Sequence, residues 1–367
     1  MPSRNGSTSA IAEPPMGLWD WVLRILSQPD QGPVERVPHR HADAAKGTTT
    51  ATLEPCGEAS SSSDEPRWYR PAGATLVELV APPRPEGVPE LRALENLLVS
   101  HFDGHNLHMP PLLRGAQRVL DRLRKKNVDA KAVARDIGED QVIAAAVIRM
   151  ANSPLYRGAY KTATLDAAVT RLGFRAIRTL MLHQSLRAVV FDTRSVEGRF
   201  ATRLWRRSLA AGCIMRGLAK LTSREEDDAL LQGLLHDIGS VLVLRILREN
   251  RVRPLVELDD ATFEFLACEC HQELGELIAQ SWQLPDELKG LIADHHTPPR
   301  PDDPLRTERL QLQLTEMILA LLDFTPFTPY DLMASRPASE LGLRSRPGFT
   351  DFLDALPGEL EEAFQDL

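Results

Sequence analysis

The sequence predicts an all-α fold, and three observations carry that prediction. From residue 110 onward, apolar side chains recur at steps of three and four almost without interruption, which places them on one face of a helix. Few stretches show the period-two alternation of a half-buried strand. Aromatic residues make up only 5% of the chain while Ala and Leu are abundant, which suits helices packed through aliphatic side chains better than a sandwich or barrel. With 43% apolar and 26% charged residues over 367 positions, the chain can bury one sizeable core or two modest ones.

Taken in order, the elements begin with a region, 1–97, expected to be largely disordered or linker. Residues 1–15 and 28–75 are rich in Ser, Pro, Gly, Ala and charge and have little periodicity. Between them, 16–27 reads MGLWDWVLRILS, with Leu18, Val22, Ile25 and Leu26 on one helical face and Trp19 and Trp21 nearby. This short amphipathic helix is expected to fold back onto the main domain. Docking to a partner or a membrane surface is the alternative, and one Asp with one Arg makes a poor membrane-binding pattern. Residues 76–97 are a Pro-rich approach with a helical stretch at 91–98.

In 110–126, Leu113, Ala116, Leu120 and Leu123 repeat at helical spacing. Asp129 is placed to cap a short helix carrying Val133 and Ile137. The nearly all-apolar 141–151 is expected to be buried on most sides and to stop at Asn152-Ser153-Pro154, where Asn tolerates a left-handed conformation and Pro cannot continue the ladder. Thr164 caps 165–171, and Gly173 ends it. Long helices are expected at 176–190 and 202–221, then 229–238 stopped at Gly239, then 241–249, 262–282, 286–295 and 307–322. In the tail, 330–343 and 348–367 can form two short helices. Phe349, Phe352, Leu353, Leu356, Leu360 and Phe364 make an apolar stripe that closes the domain or, alternatively, meets a second copy.

Charge and cysteine usage narrow the function classes. The formal net charge of −8 argues against a general nucleic-acid binder, although Arg171, Arg175 and Arg178, with Arg203, Arg206 and Arg207, form local basic clusters. The longest wholly apolar run, 142–148, is far too short to span a membrane, and no secretory signal is legible at the N-terminus. Cys56, Cys213, Cys268 and Cys270 suggest no disulfide framework, so a reducing cytoplasm is the default expectation.

The residues that can carry chemistry are His, Asp and Glu. Leu234-Leu235-His236-Asp237-Ile238-Gly239 sets an imidazole beside a carboxylate at a helix end, where both can reach one cation. His271 opens a face continued by Gly275, Ile278 and Trp282, and His295-His296 ends the next helix. A site of His236, Asp237, His271 and His295 would offer mixed nitrogen and oxygen ligands suited to iron, manganese or zinc. The plainer reading is a hydrogen-bonded His-Asp clamp between helices, with one member of the His doublet buried and the other solvated.

Several segments in order resemble the HDOD family, the HD-related output domain of bacterial signalling proteins, over about 98–325. They are the twin prolines in 107–113; Arg149-Met150-Ala151-Asn152-Ser153-Pro154-Leu155-Tyr156, similar to an R-x-A-N-S-x-x-Y block; and Ala167-Ala168-Val169-Thr170-Arg171-Leu172-Gly173, similar to A-I-x-x-L-G. Then come Trp205-Arg206-Arg207-Ser208, Gly233 through Gly239, His271 to Trp282-Gln283-Leu284-Pro285, and His295-His296. The resemblance implies an N-terminal helical bundle packed on a second bundle derived from HD-superfamily phosphohydrolases, with 326–367 as a C-terminal helical extension. Catalytic HD proteins bind metal through a first His, the His-Asp doublet and a later Asp. Here the first His falls at Arg207 and the later Asp at Glu316. A guanidinium adds a fixed positive charge where a dication would sit.

The resemblance therefore implies a remnant centre of Arg207, His236, Asp237, His271, His295 and Glu316. No catalytic residue is expected, the metal-ligand set is incomplete, and no cofactor is required, with Fe, Mn or Zn at His236, Asp237, His271 and His295 the exception to test. The expected function is non-catalytic bacterial signal transduction through protein or ligand contacts, in motility, stress or virulence control. The partner is a signalling protein, with a small-molecule or nucleotide ligand as a further option, and the compartment is the cytoplasm. The alternative is a metal-dependent phosphohydrolase acting on cyclic dinucleotides. Against it, the Gly-Tyr-Pro that follows the His pair in related cyclic di-GMP hydrolases is absent: this chain reads His295-His296-Thr297-Pro298-Pro299.

Overall fold

In a computed structural model of the chain, thirteen α-helices account for nearly all the regular structure among the described residues. The structure describes residues 76–364 apart from 80–81, 89–90, 104–108, 153–155, 157–159, 192–197, 250–257 and 326–329. The expected disorder over 1–75 and the helix expected at 16–27 lie outside the described residues. Among those described there is no strand, only an isolated parallel bridge between Leu76 and Tyr330.

The helices are α1 (Leu91–Asp103), α2 (Arg114–Leu123), α3 (Ala130–Gly138), α4 (Gln141–Ala151), α5 (Leu165–Phe191), α6 (Gly198–Thr222), α7 (Glu226–Leu235), α8 (Ile238–Glu249), α9 (Asp260–Ser281), α10 (Asp286–Ala293), α11 (Arg306–Leu321), α12 (Arg336–Glu340) and α13 (Pro347–Phe364). Helices α2 to α5 form the first bundle. The second is built on the α6–α7 and α8–α9 pairs, with α10 against α9 and α11 against α6. Helix α5 belongs to both, since it also packs on α6, α7 and α8. One apolar core runs through the two bundles and takes in Phe349, Leu353, Leu356 and Leu360 of α13. The packing of that helix on α6 explains why its stripe is apolar.

Local chemistry sets the helix ends. Asp129 accepts a hydrogen bond from the Lys131 N–H, and Asp140 accepts from Val142 and Ile143, satisfying donors that the first turn leaves open. Gly173 (φ 74°) divides α5 at the expected position, in backbone territory that side chains with a Cβ avoid. Asn152 differs from expectation. Its φ of −96° is not left-handed. It ends α4 by exchanging side-chain hydrogen bonds with the Thr162 backbone, donating at 2.7 Å and accepting at 2.8 Å.

Gly239 also departs from the sequence reading. It lies inside α8 and does not terminate α7. A Cβ built on it would collide with the backbone carbonyl of His271, so its missing side chain is what lets α8 settle onto α9 at that histidine. The stretch Glu226–Glu249 has the length and apolarity of a membrane span, but His236-Asp237 breaks it into two helices, and 89% of its most apolar 18 residues are buried within the fold.

Candidate metal centre

Three helices and two junctions meet around Asp237. Arg207 comes from α6, His236 and Asp237 from the α7–α8 junction, Glu264 and His271 from α9, His295 and His296 from the turn after α10, and Glu316 from α11. The structure thus brings together all six residues expected from the sequence. Two more join them: His296, which the expected ligand set left out, and Glu264, which the sequence reading missed. Glu264 had a legible signal, because 264, 268 and 271 follow the i, i+4, i+7 line of one helix face. His296 had none: the chain leaves helical geometry at Asp294 (φ −152°, ψ 43°), and only outside a helix can adjacent imidazoles face one point. From α11, the Gln313 amide donates to the Thr297 carbonyl at 3.0 Å and Arg309 bonds the Asp294 carbonyl, which fixes that turn.

The centre divides into two halves. In the first, Arg207 is buried and reaches three carboxylates: Asp237 Oδ2 at 2.6 Å, Glu264 Oε2 at 2.7 Å and Glu316 Oε2 at 3.2 Å. Burial opposes its charge, but Asp237, Glu316 and Glu264 outweigh it and raise its pKa further. Burial likewise opposes ionisation of Asp237 and Glu316. Arg207, with His236, overcomes it, holding Asp237 well below the usual carboxylate range and Glu316 at about 2. At Glu264 burial prevails over Arg207 and Arg203 and pushes the carboxyl up.

His236 belongs to this half. Its Nδ1 faces the Gly233 carbonyl at 2.7 Å and its Nε2 faces Glu316 Oε1 at 2.6 Å, so both ring nitrogens meet acceptors. Burial disfavours the imidazolium, but Asp237 and Glu316 raise its pKa above the ordinary value. An imidazole protonated on both nitrogens has no lone pair to offer a metal. The expected quartet of His236, Asp237, His271 and His295 is therefore split, with His236 bound to Glu316.

The second half is neutral imidazole. Nδ1 of His271 donates to the Ala267 carbonyl at 2.9 Å, and Nδ1 of His295 lies 3.2 Å from the Leu291 and Ile292 carbonyls. Those bonds fix the tautomer and leave each Nε2 as an acceptor. The two Nε2 atoms stand 3.3 Å apart, at 3.4 and 3.5 Å from Asp237 Oδ1, and His296 Nε2 is 3.0 Å from His271 Nε2. Asp237 Oδ1 has no hydrogen-bond donor among the described residues. Burial lowers all three imidazoles, His271 to about 4 and His296 to about 3, so they are unprotonated at neutral pH.

The Nε2 atoms of His271 and His295 thus converge with Asp237 Oδ1 as acceptors, which a cation would join, and His296 Nε2 can donate to His271 or turn its lone pair to the same point according to its tautomer. The donor atoms of Asp237, His271, His295 and His296 lie within 4.8 Å of one another. This set fits iron, manganese or zinc through three nitrogens and one oxygen. The expectation of an incomplete ligand set is thus not upheld. Four donors stand ready in this half, and the substitution at Arg207 falls in the other.

A family model described as the HDOD domain matches residues 109–298, just over half of the chain and reaching past the His doublet. The chain belongs to the HDOD domain family. A HDOD domain protein of unknown function from Geobacter sulfurreducens superposes with a TM-score of 0.57 at 21% identity, covering 76% of this chain and 99% of its own. A protein provisionally described as a metal-dependent phosphohydrolase, from Shewanella amazonensis SB2B, gives 0.61 at 20% identity over 76% and 99%. One provisionally described as a signal transduction protein, from Marinobacter aquaeolei VT8, gives 0.52 at 19% over 77% and 66%. At these identities the likeness shows the fold alone. An uncharacterised protein of Treponema pallidum (strain Nichols) is 24% identical over 236 residues, 61% of this HDOD chain. The chain spans less than half, 43%, of that relative's length.

Proposed function

We propose that this HDOD chain is a non-catalytic module of bacterial signal transduction that works by binding a protein partner or a ligand, with 98–325 as its working domain and 1–97 and 326–367 as flanking segments. The observation that carries the reading is Arg207. Its guanidinium fills the half of the HD centre beside Asp237 Oδ2 and Glu316, and neither it nor protonated His236 can ligate a cation. That half is closed to a cation in this reading, and the His-rich position is the one left to hold one. In this reading a cation held by Asp237, His271, His295 and His296 ties α8, α9 and the turn after α10 together as a structural or sensing ion.

Five of the six arginines in the basic clusters are committed within the fold, which favours a protein partner over nucleic acid. Arg171 bonds the Ala151 and Tyr160 carbonyls. Arg175 pairs with Glu225 and Asp228, Arg203 with Asp260, and Arg206 lies over the Phe364 ring. Arg207 is buried in the centre.

A second reading, metal-dependent phosphohydrolysis, is favoured by the His-rich quartet. A bound cation would supply Lewis-acid polarisation of a phosphoryl oxygen there. Elemental analysis of protein purified without chelators, with a phosphodiesterase assay on the same sample, separates the two. The expected result is no turnover with added manganese or iron. Turnover that His236→Ala/Asp237→Ala abolishes would overturn the non-catalytic reading.

A further inference from the structure

The sixth arginine of those clusters, Arg178, is the exception. It is half-buried on α5 and has no hydrogen-bond or ion-pair partner among the described residues. It opens into a cleft of about 440 Å³ on the seam between the bundles, within the range of small-molecule sites. The end of α2 supplies Leu123 and Arg124, α5 supplies Arg178 and Leu182 one turn apart, and the turn from α9 to α10 supplies Leu284 and Pro285. Arg124 is anchored, since its Nη2 donates to the Trp282 carbonyl at 2.7 Å and the Gln283 carbonyl at 3.1 Å. Trp282 Nε1 in turn donates to the Pro110 carbonyl at 2.8 Å, so the first bundle is held against α9 where the cleft opens.

The lining defines the ligand. Its apolar part is aliphatic, and no aromatic side chain is present to stack a base. Its polar part is the uncommitted Arg178 guanidinium, whose fork matches a single carboxylate through two parallel hydrogen bonds, with Gln283 and the anchored Arg124 sharing the lining. We propose that this cleft binds an aliphatic carboxylate, a fatty acid of about eight carbons, with the carboxylate on Arg178 and the chain along Leu123 and Pro285, the apolar lining residues that are not buried. His271 lies eleven residues before Trp282 on the same helical run, about 16 Å along the axis, so the site is separate from the metal centre. The inference goes beyond the signalling reading and does not depend on whether the centre turns over.

Titration calorimetry of the full chain with sodium octanoate tests it, with 1-octanol and AMP as comparison ligands. Expected are saturable one-site binding of octanoate, affinity about tenfold lower for 1-octanol and for Arg178→Gln, and no saturable binding of AMP. Absence of saturable octanoate binding up to about 10 mM overturns the proposal. So does unchanged affinity in Arg178→Gln with wild-type helical circular dichroism, or AMP binding in place of octanoate. If Arg178→Gln does not fold, Leu123→Glu carries the test, because it places a carboxylate at a half-buried position in the same cleft. About tenfold weaker octanoate binding is then expected, and unchanged affinity refutes the site.

Discussion

The two halves of the centre share Asp237 but use its two oxygens in opposite ways. Oδ2 is neutralised by a permanent internal cation, Arg207. Oδ1 faces lone pairs on His271 and His295 and has no internal cation. The first half is complete within the protein, and its charges balance by ion pairing in low dielectric. The second can be completed only by something from outside. Arg207, at the position where the resemblance implies a first histidine, makes a salt-bridge cluster, and the His-rich half stands complete without it. Loss of one ligand and loss of metal binding are separate questions here.

The largest effect is expected from Arg207→Ala. Removing the guanidinium leaves Asp237, Glu316 and Glu264 buried together, at a cost of about 3–5 kcal/mol typical of breaking a buried pair. Urea denaturation reads this as a fall in midpoint without a change in slope. A loss under about 1 kcal/mol would mean that the cluster is hydrated in solution and the contrast between the halves is overdrawn.

The next effect sharpens the contrast through metal affinity. His295→Ala should weaken zinc or manganese binding by about 100-fold, the upper end of what supporting residues contribute, whereas His236→Ala should change it by less than about tenfold. Calorimetry that finds both variants equally impaired would put His236 back among the ligands.

A buried imidazole outside the centre provides a control for acid sensitivity. His183 is fully buried on α5 against Trp205, with a ring separation of 4.9 Å, and burial, with Arg187, lowers its pKa to about 3. Its native pKa lies below the unfolded value of about 6.5, so the unfolded chain takes up the proton first. The stability it contributes is present above about pH 6.5 and is lost as the pH falls toward 3, by up to about 1.4 kcal/mol per unit. Denaturation midpoints for wild type and His183→Phe should draw together across that window. Parallel curves would assign acid sensitivity to the centre. The smallest effect, about 1 kcal/mol, is expected for Asp140→Ala, which removes the α4 cap and should leave metal affinity unchanged.

Much of the fold was legible because helices declare themselves locally. The extent of α4, the Asp129 cap and the break at Gly173 follow from periodicity and capping chemistry within a few residues. Misreadings occurred where a residue serves a distant partner. Asn152 ends its helix through Thr162, and Gly239 exists for the sake of His271. Glu264 was overlooked between two phenylalanines, although its face was written in the spacing to His271.

The sequence by itself determined an all-helical HDOD chain and six of the residues that gather around Asp237, with arginine at the position where the resemblance implies a histidine. Only the tertiary structure decided which groups are charged. Whether His236 carries two protons depends on Glu316, 80 residues away, and whether His296 joins the cluster depends on how the turn at Asp294 is held from α11. Protonation and metal competence depend on distances of a few ångströms between groups that the chain places far apart. No local pattern encodes those distances; the packing of helices α6 to α11 sets them.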